Sequence, residues 1–297
     1  SAAHQPIHWF PWGAEAFARA VAEDRPGLLD IGAAWCHWCH VLDGESYEDA
    51  ALAEFLNQNF VCMKVDRDER PDVDTRYQRA VQAITGQGGW PLTAFLTPAG
   101  EVFYGGTYFP PDGKYGRPGF RSVLTQILNL YRTQREKVAQ QASTLRRVLE
   151  EHLDEAAPGE PSEAQLVEAE TGMARLFDPI HGGFGTQPKF PHPGAVRFLL
   201  TRWRDTGSSA ARDMAALTLA GMMRGGIHDH LAGGFHRYSV DARWLVPHFE
   251  KMLYDNALLI DLLCEVWRET GDHRYAARIE ETVSWLEREM IAEGGGF

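Results

Sequence analysis

The first half of the chain alternates segments of helical periodicity with short apolar runs. Apolar residues recur at helical spacing at about 13–23, 46–57, 71–85 and 119–153, with Ser46 as the expected N-cap of the second segment. Strands are predicted at 27–33 and 60–66, and a β-hairpin at 91–97 and 102–109. This order predicts an α/β fold in which helices join parallel strands and one hairpin closes the sheet.

The second half shows helical periodicity only. Helices are predicted at about 163–177, 193–205, 209–225, 249–270 and 273–291. The polar segment 154–163 carries two prolines and a glycine, which is typical of a linker. We therefore expect an N-terminal α/β domain over 1–157 and an all-α region over 158–297.

A Gly-Gly-Phe sequence recurs in the helical half, at 182–184, 233–235 and 295–297. Repeats of this period indicate stacked helical hairpins, as in an (α/α)6 toroid. The predicted helices are too few to close such a ring. We expect either a fragment of a longer protein or an open edge that a partner covers, such as a second copy of the chain.

Composition narrows the classes of function. The net charge of -12 disfavours nucleic acid as a partner, because phosphate backbones are repelled. No apolar run approaches the length of a membrane span, and no basic and then apolar leader is visible, so we expect a cytoplasmic protein. The chain has 4 cysteines, too few for a disulfide scaffold.

Cys36 and Cys39 lie between the strand predicted at 27–33 and the start of a helix. Two cysteines at this spacing can form a disulfide, and a helix N-terminus favours the thiolate over the thiol. The setting predicts thiol–disulfide exchange, with Cys36 as the attacking thiolate and Cys39 as the resolving thiol. Together with the order of elements, the pair is typical of a thioredoxin-type fold.

Several residues are expected beside this pair: Trp35, His37, Trp38, His40, Gly89, Trp90 and Pro91. Trp35 is expected to shield the sulfur atoms, and His37 or His40 to stabilise charge nearby. Pro91 is expected to face the pair, commonly through a cis peptide bond. The alternatives are solvated surface for the two histidines and an ordinary strand-edge proline for Pro91.

Three other roles stay open for the cysteine pair. Cys-His-Trp-Cys-His matches the attachment sequence for c-type haem, although such attachment implies export. Zinc could bind Cys36, Cys39 and a histidine, although the chain has no second Cys-x-x-Cys. The pair could also be purely structural. Our expectation is a site with neither cofactor nor metal.

The chain resembles the spermatogenesis-associated, thioredoxin-domain family of bacteria and animals. The motifs that carry the resemblance lie at 8–13, 35–41, 45–49, 65–72, 86–91, 104–111, 188–191 and 247–256. The resemblance implies a thioredoxin-like domain followed by a six-hairpin toroid similar to N-acylglucosamine 2-epimerase and certain glycosidases. Gln-Pro-Ile-His at 5–8 replaces the usual Asn-Pro-Val-Asp, and Asp43-Gly44 replaces Glu-His.

A second candidate pocket lies in the helical half. Its residues are Lys189, His228, His236, Arg237, Asp241, Trp244, His248, Glu250, Tyr254 and Asp255. Aromatic rings that stack on sugars and polar groups that bind hydroxyls are the side chains a carbohydrate site needs. His236 and His248 could exchange a carbon-bound proton, or Asp241 and Asp255 could act as a carboxylate pair. The alternative is loops held by buried polar networks, and His228, Asp229 and His230 are a weaker candidate for a metal site.

Three hypotheses of function follow. The first is a thiol–disulfide oxidoreductase domain fused to an epimerase-like or glycosidase-like helical region. The second is a carbohydrate isomerase or hydrolase in which the thioredoxin-like domain is a scaffold, and the third is a noncatalytic binding module. The expected partners are a protein thiol or disulfide, or a small molecule such as a sugar.

Overall fold

A sheet forms the centre of the first half of the chain. The computed structural model describes residues 2–114, 116, 118–154 and 162–297, and these residues form one five-stranded sheet. Its strands are β1 (Trp9–Pro11), β2 (Gly27–Gly32), β3 (Val61–Asp66), β4 (Leu92–Leu96) and β5 (Val102–Gly106), in the order β1-β3-β2-β4-β5. β1, β2 and β3 are parallel, and β4 is antiparallel to both β2 and β5. The predicted thioredoxin-like α/β sheet is confirmed.

Helices cover both faces of this sheet. They are α1 (Ala14–Ala22), α2 (His37–Leu42), α3 (Ala50–Asn59), α4 (Pro71–Thr85), α5 (Phe120–Thr133) and α6 (Arg135–Asp154). Leu28 packs with α3 and α5 on one face of β2, and Leu29 and Ile31 pack with α1 and α4 on the other. Burial on both faces explains why β2 is an almost continuous apolar run.

The expected N-cap at Ser46 is wrong. A π-helical segment, Asp43–Tyr47, continues from α2 and places Ser46 in the buried interior. Asp49 is the N-cap of α3, because its carboxylate accepts a hydrogen bond of 2.6 Å from the backbone N–H of Leu52. The helix predicted over 119–153 is also two helices, which meet at Gln134.

The second half is mostly helical, as predicted. Its helices are α7 (Glu163–Leu176), α8 (Pro193–Thr206), α9 (Ser209–Arg224), α10 (Leu253–Thr270) and α11 (His273–Glu289). α8 and α9 form one hairpin and α10 and α11 another, each with a left-handed glycine, Gly207 or Gly271, in its turn. A short antiparallel pair, β6 (Tyr238–Ser239) and β7 (Pro247–His248), was not expected.

The long loops after α7 and α9 share one construction, which explains two of the Gly-Gly-Phe sequences. Lys189 Nζ donates to Asp178 Oδ2 at 2.6 Å and to the carbonyl of Gly182 at 2.9 Å. In the second loop Lys251 Nζ donates to Asp229 Oδ2 at 2.8 Å and to the carbonyl of Gly233 at 2.7 Å. The third copy differs, since Ile291 stands where the first two loops have aspartate.

The chain divides into two compact units, Ser1–Pro158 and Gly159–Phe297. The predicted linker lies, from 155 to 161, outside the described residues. Among the residues that are described, no helix is long and apolar enough to cross a membrane.

Candidate functional site

Cys36 and Cys39, two of the three cysteines in the first unit, form a disulfide just after β2. The Cα atoms of Cys36 and Cys39 lie 5.3 Å apart. Cys36 is the N-cap of α2, and its sulfur accepts a hydrogen bond of 3.1 Å from the backbone N–H of Cys39. In the reduced protein the same N–H would stabilise a thiolate on Cys36.

Two tryptophans cover this disulfide. Trp35 and Trp90 pack against the sulfur pair, and their ring centroids lie 5.8 Å apart. Cys36 is 2% exposed and Cys39 is 9% exposed. The Trp90–Pro91 peptide is cis, and Pro91 is buried at the start of β4. The loop before it is fixed by Gln78, whose side chain hydrogen-bonds both the N–H and the carbonyl of Gly89.

A cation and two carboxylates hold the two indoles. Trp35 Nε1 donates to Asp68 at 2.7 Å, and Trp90 Nε1 donates to Asp74 at 2.9 Å. The guanidinium of Arg67 lies 5.8 Å from the ring centroid of Trp35 and 4.6 Å from that of Trp90. Its Nε lies 3.6 Å from Asp68 and 3.7 Å from Asp74. We call Arg67, Asp68 and Asp74 the indole clamp; none of the three was expected at this site from the sequence.

The other residues predicted around the pair lie on the surface. Trp38 is exposed and packs against Tyr108, whose hydroxyl donates to Glu45. His37 is exposed beside Trp38. His40 is not simply solvated, since its Nε2 lies 2.8 Å from the carbonyl oxygen of Ala34 and ties α2 to the preceding turn.

A buried carboxyl group lies on the face of β2 that carries Gly32, next to Cys39. Asp30 is buried in β2, where it accepts from the hydroxyl of Tyr47 at 3.3 Å and pairs with Lys64 at 3.2 Å. A Cβ built on Gly32 would lie 3.0 Å from Cys39 Sγ. Asp30 is two residues before Gly32, so its side chain leaves the same face of the strand. Its one signal in the sequence is a carboxylate inside an apolar run.

The pKa values of Asp30 and of two nearby groups, Lys64 and Cys62, are all raised. Burial raises the pKa of Asp30 above the ordinary carboxyl value, although Lys64 opposes the shift. Burial alone would lower the pKa of Lys64, but Asp30 and Asp43 raise it above its ordinary value. Burial also raises the pKa of the Cys62 thiol far above its usual range, so Cys62 is a poor nucleophile.

In the helical unit, part of the predicted pocket forms a contiguous cluster. Arg237 pairs with Glu250 at 3.0 Å, and His248 lies 3.3 Å from the same carboxylate. The ring of His248 stacks on Tyr238 with centroids 4.5 Å apart and planes inclined by 7°. Burial raises the pKa of Asp255, on the first turn of α10, to about 6, while Arg237 opposes the shift.

Three other residues predicted for this pocket, Lys189, Trp244 and Asp241, have contacts of their own. Lys189 and Trp244 are fully buried in the core of the first long loop, and Lys189 Nζ lies 5.4 Å from the indole centroid. Asp241 accepts hydrogen bonds from the backbone N–H groups of residues 243, 245 and 246 and so fixes a turn.

His228 and His236, the other two histidines predicted for the pocket, are both buried, whereas Tyr254 is exposed. Burial lowers the pKa of His236 to about 4, and the imidazole packs edge-on against Phe249. His228 contacts Arg278 instead of the cluster around Arg237, with 3.1 Å between Nδ1 and Nη1.

Comparison with known proteins gives relatives over almost the whole chain. Spermatogenesis-associated protein 20 of Rattus norvegicus is 38% identical over 304 residues, which cover 99% of this chain and 38% of the relative. An uncharacterised protein of Caenorhabditis elegans is 44% identical over 302 residues, which cover 99% of this chain and 41% of the relative. The chain thus spans about two fifths of the length of these relatives.

Two solved structures each resemble part of the chain. A chain described as DsbH oxidoreductase is 18% identical with a TM-score of 0.32, and the match covers 42% of this chain and 85% of that one. A sugar epimerase from a ruminal bacterium is 18% identical with a TM-score of 0.38, and the match covers 44% of this chain and 38% of that one.

One family model matches the unit that contains the disulfide. It is Thioredox_DsbH, described as a protein of unknown function, DUF255, and it matches residues 1–150. The match takes in half of the 297 residues, so the chain belongs to the Thioredox_DsbH (DUF255) family.

Proposed function

We propose that the N-terminal unit is a thiol–disulfide oxidoreductase. The observation that carries the proposal is the Cys36–Cys39 disulfide at a helix start, with the indole before a cis-proline packed on it. A helix N-cap sulfur that already accepts a backbone hydrogen bond is an electrostatically favourable place for a thiolate. A purely structural pair needs neither this placement nor the facing loop.

The reaction proceeds by two exchanges. The Cys36 thiolate attacks one sulfur of a client disulfide, that disulfide breaks, and one client sulfur leaves as a thiolate. Cys39, once deprotonated, attacks Cys36 Sγ, so the mixed disulfide breaks and the second client thiolate leaves. Two electrons pass to the client, and the protein is left with its Cys36–Cys39 disulfide.

We assign to Asp30 the role of accepting the proton of Cys39. It lies on the strand face that carries Gly32, and burial raises its pKa. A carboxylate with a raised pKa is a better proton acceptor than an ordinary one. Lys64 and Tyr47 hold the Asp30 carboxylate in place.

The test is to equilibrate the protein with glutathione buffers, trap free thiols by alkylation and measure masses. A Cys264→Ser background removes the half-buried free thiol. We expect Cys36 and Cys39 to be oxidised together, and Cys39→Ser to hold glutathione on Cys36 as a mixed disulfide. The proposal fails if Cys39→Ser takes up no glutathione. Uptake by Cys36→Ser alone would show that Cys39, not Cys36, is the attacking thiol.

We also propose a second candidate function, carbohydrate binding or conversion in the helical unit. It is favoured by the Tyr238–His248 stack beside the Arg237–Glu250 pair and the Asp255 carboxyl. Flat ring faces next to paired polar groups suit a sugar, and an acid with a pKa near 6 can donate a proton.

Sugar turnover or binding that is lost in Asp255→Asn and His248→Ala, and retained in Cys36→Ser, would support this second function. Retained turnover in both helical variants would exclude the Arg237–Glu250 cluster as its site.

A further inference from the structure

A cavity of about 590 Å³ lies between α9 and α11 of the helical unit. Five basic residues line it: Arg224 on α9, His230 in the loop after α9, and His273, Arg274 and Arg278 on α11. None of the described residues that line the cavity is an aspartate or a glutamate. In a chain with a net charge of -12, three arginines around one cavity call for a specific explanation.

Arg278 is held in a fixed orientation by two imidazoles. Its Nη1 lies 3.1 Å from His228 Nδ1 and 3.2 Å from His230 Nδ1. His230 Nε2 lies 3.0 Å from the carbonyl oxygen of Gly225, so that nitrogen carries the proton and Nδ1 accepts from the guanidinium. The buried His228, whose pKa burial lowers to about 3, is neutral and also accepts. A guanidinium fixed in this way loses little side-chain entropy when it binds a ligand.

The charge around the cavity is only partly balanced. Arg278 Nη2 pairs with Glu281 at 3.0 Å, and Arg274 pairs with Asp272, the N-cap of its own helix, at 2.6 Å. For Arg224 the described part of the chain offers a hydrogen bond to the carbonyl of Ala220 and no carboxylate. His273 and Arg274 are in the first turn of the 17-residue helix α11, whose N-terminus is already capped by the Asp272 carboxylate.

We propose that this cavity binds a small organic phosphate ester. Arginine guanidinium groups recognise phosphate through charged hydrogen bonds, and Arg224 has no carboxylate partner among the described residues. The volume exceeds what a free ion needs, and Ala220, Met223 and Ala277 give it an apolar wall against which the carbon part of an ester would pack. The site is separate from the Arg237–Glu250 cluster, with which it shares no lining residue.

The binding test is calorimetric titration of the whole chain with glucose 6-phosphate, glycerol 3-phosphate and inorganic phosphate. Glucose and glucuronate are the comparison ligands. We expect an ester to bind more tightly than inorganic phosphate or glucuronate, glucose not to bind, and affinity to fall as salt rises. The proposal is overturned if neither ester binds at millimolar concentration, or if glucose or glucuronate binds as tightly as the esters.

Variants identify the cavity as the site. Arg278→Met and Arg224→Ala should each weaken ester binding by about tenfold, because each removes charged donors. Arg212→Ala is the matched control, since Arg212 is on the same helix and pairs with Asp213 outside the cavity. Circular dichroism checks that Arg278→Met folds, and Arg224→Ala keeps the test decisive if it does not. Equal binding by Arg224→Ala and Arg212→Ala would place any ester elsewhere.

Discussion

At the scale of single residues, Arg67 is the group on which access to the candidate redox pair depends. Its guanidinium contacts both indoles that cover the sulfurs, and it lies between the two carboxylates that hold those indoles. Without this cation, Asp68 and Asp74 would repel each other across the site. The indole clamp therefore keeps Cys36 covered in the oxidised protein.

We expect Arg67→Met to speed reduction of the disulfide by dithiothreitol by about threefold, since a cation–π contact is worth about 0.5–1 kcal/mol. The rate is measured in 0.5 M salt, where screening suppresses the direct effect of charge on the incoming thiolate. Arg67→Lys should recover part of the protection, because it restores the charge without the planar stack.

Arg70→Met is the control for this experiment. Arg70 lies 5.1 Å from the ring of Trp12 and pairs with Asp72, so it is also a cation over an indole but does not belong to the clamp. Equal reduction rates for the parent, Arg67→Met and Arg70→Met would show that the clamp does not limit access.

Asp255 gives a pH-dependent prediction. Burial raises its pKa from about 3.8 to about 6, so the folded chain binds this proton more tightly than the unfolded chain. The associated stability is complete below pH 3.8 and is lost as the pH rises through about 6. Asp255→Asn should therefore increase the free energy of unfolding at pH 7.5 by about 1 kcal/mol, after allowance for partial exposure, and leave it nearly unchanged at pH 4.

Urea titrations at the two pH values measure this difference. The exposed Asp205→Asn serves as the control and should show no such dependence. A destabilised Asp255→Asn protein at pH 7.5 would mean that the ionised carboxylate has a favourable partner.

At the scale of elements, the repeated long loops depend on glycines with positive φ. Gly183 has φ of 80°, and a Cβ there would lie 2.4 Å from Cζ2 of the buried Trp244. Gly207 has a similar φ of 75°, in the turn between α8 and α9, with nothing within 4 Å of the added atom. Alanine substitutions at the two positions therefore distinguish the cost of backbone strain from the cost of a steric clash.

We expect Gly207→Ala to cost about 1 kcal/mol of stability, through strain alone. Gly183→Ala should cost about 3 kcal/mol, because overpacking against Trp244 is added to the strain. Thermal unfolding of the two variants measures both values. Equal losses would show that the loop moves to accept the methyl group.

The elements that the sequence predicted well are those with a long periodic pattern. Every helix of the second half and the strands β2, β3 and β4 lie within a few residues of their predicted ranges, because their apolar spacing reflects the core that they contact. Ser46 was predicted wrongly as the N-cap of α3 because Asp49 is also a good N-cap residue. Asp49 is at the position where the backbone becomes extended before the helix. The pair β6 and β7 is too short to show any period.

The candidate sites were less predictable, because periodic spacing reports which residues face the core and not which side chains of different elements meet. The cysteine pair and the proline before β4 are local motifs, and Trp35 and Trp90 pack against the sulfurs. The indole clamp and the Asp30–Lys64 pair join different elements across the fold, and no spacing along the sequence encodes them. The residues predicted for the helical pocket were close in sequence, yet His228 and Asp241 have separate structural contacts.

At the scale of the whole molecule, each unit has its own apolar core. The two clusters on the faces of the sheet draw on residues between Ile7 and Leu149, and the helical cluster draws on residues between Met173 and Ile279. We propose that 1–157 and 158–297 are separate domains. If each core is complete within one unit, the loss of a buried side chain should destabilise that unit and leave the other unchanged.

A matched pair of substitutions tests this independence. Leu28 in the sheet and Leu259 in α10 are both fully buried, so replacing either by alanine should cost about 2–5 kcal/mol. In hydrogen exchange followed by mass spectrometry, Leu28→Ala should speed exchange in β2 to β5 and leave α8 to α10 unchanged. Leu259→Ala should do the reverse, because the removed contacts belong to the other core. Faster exchange in both units from a single substitution would show that the chain unfolds as one cooperative domain.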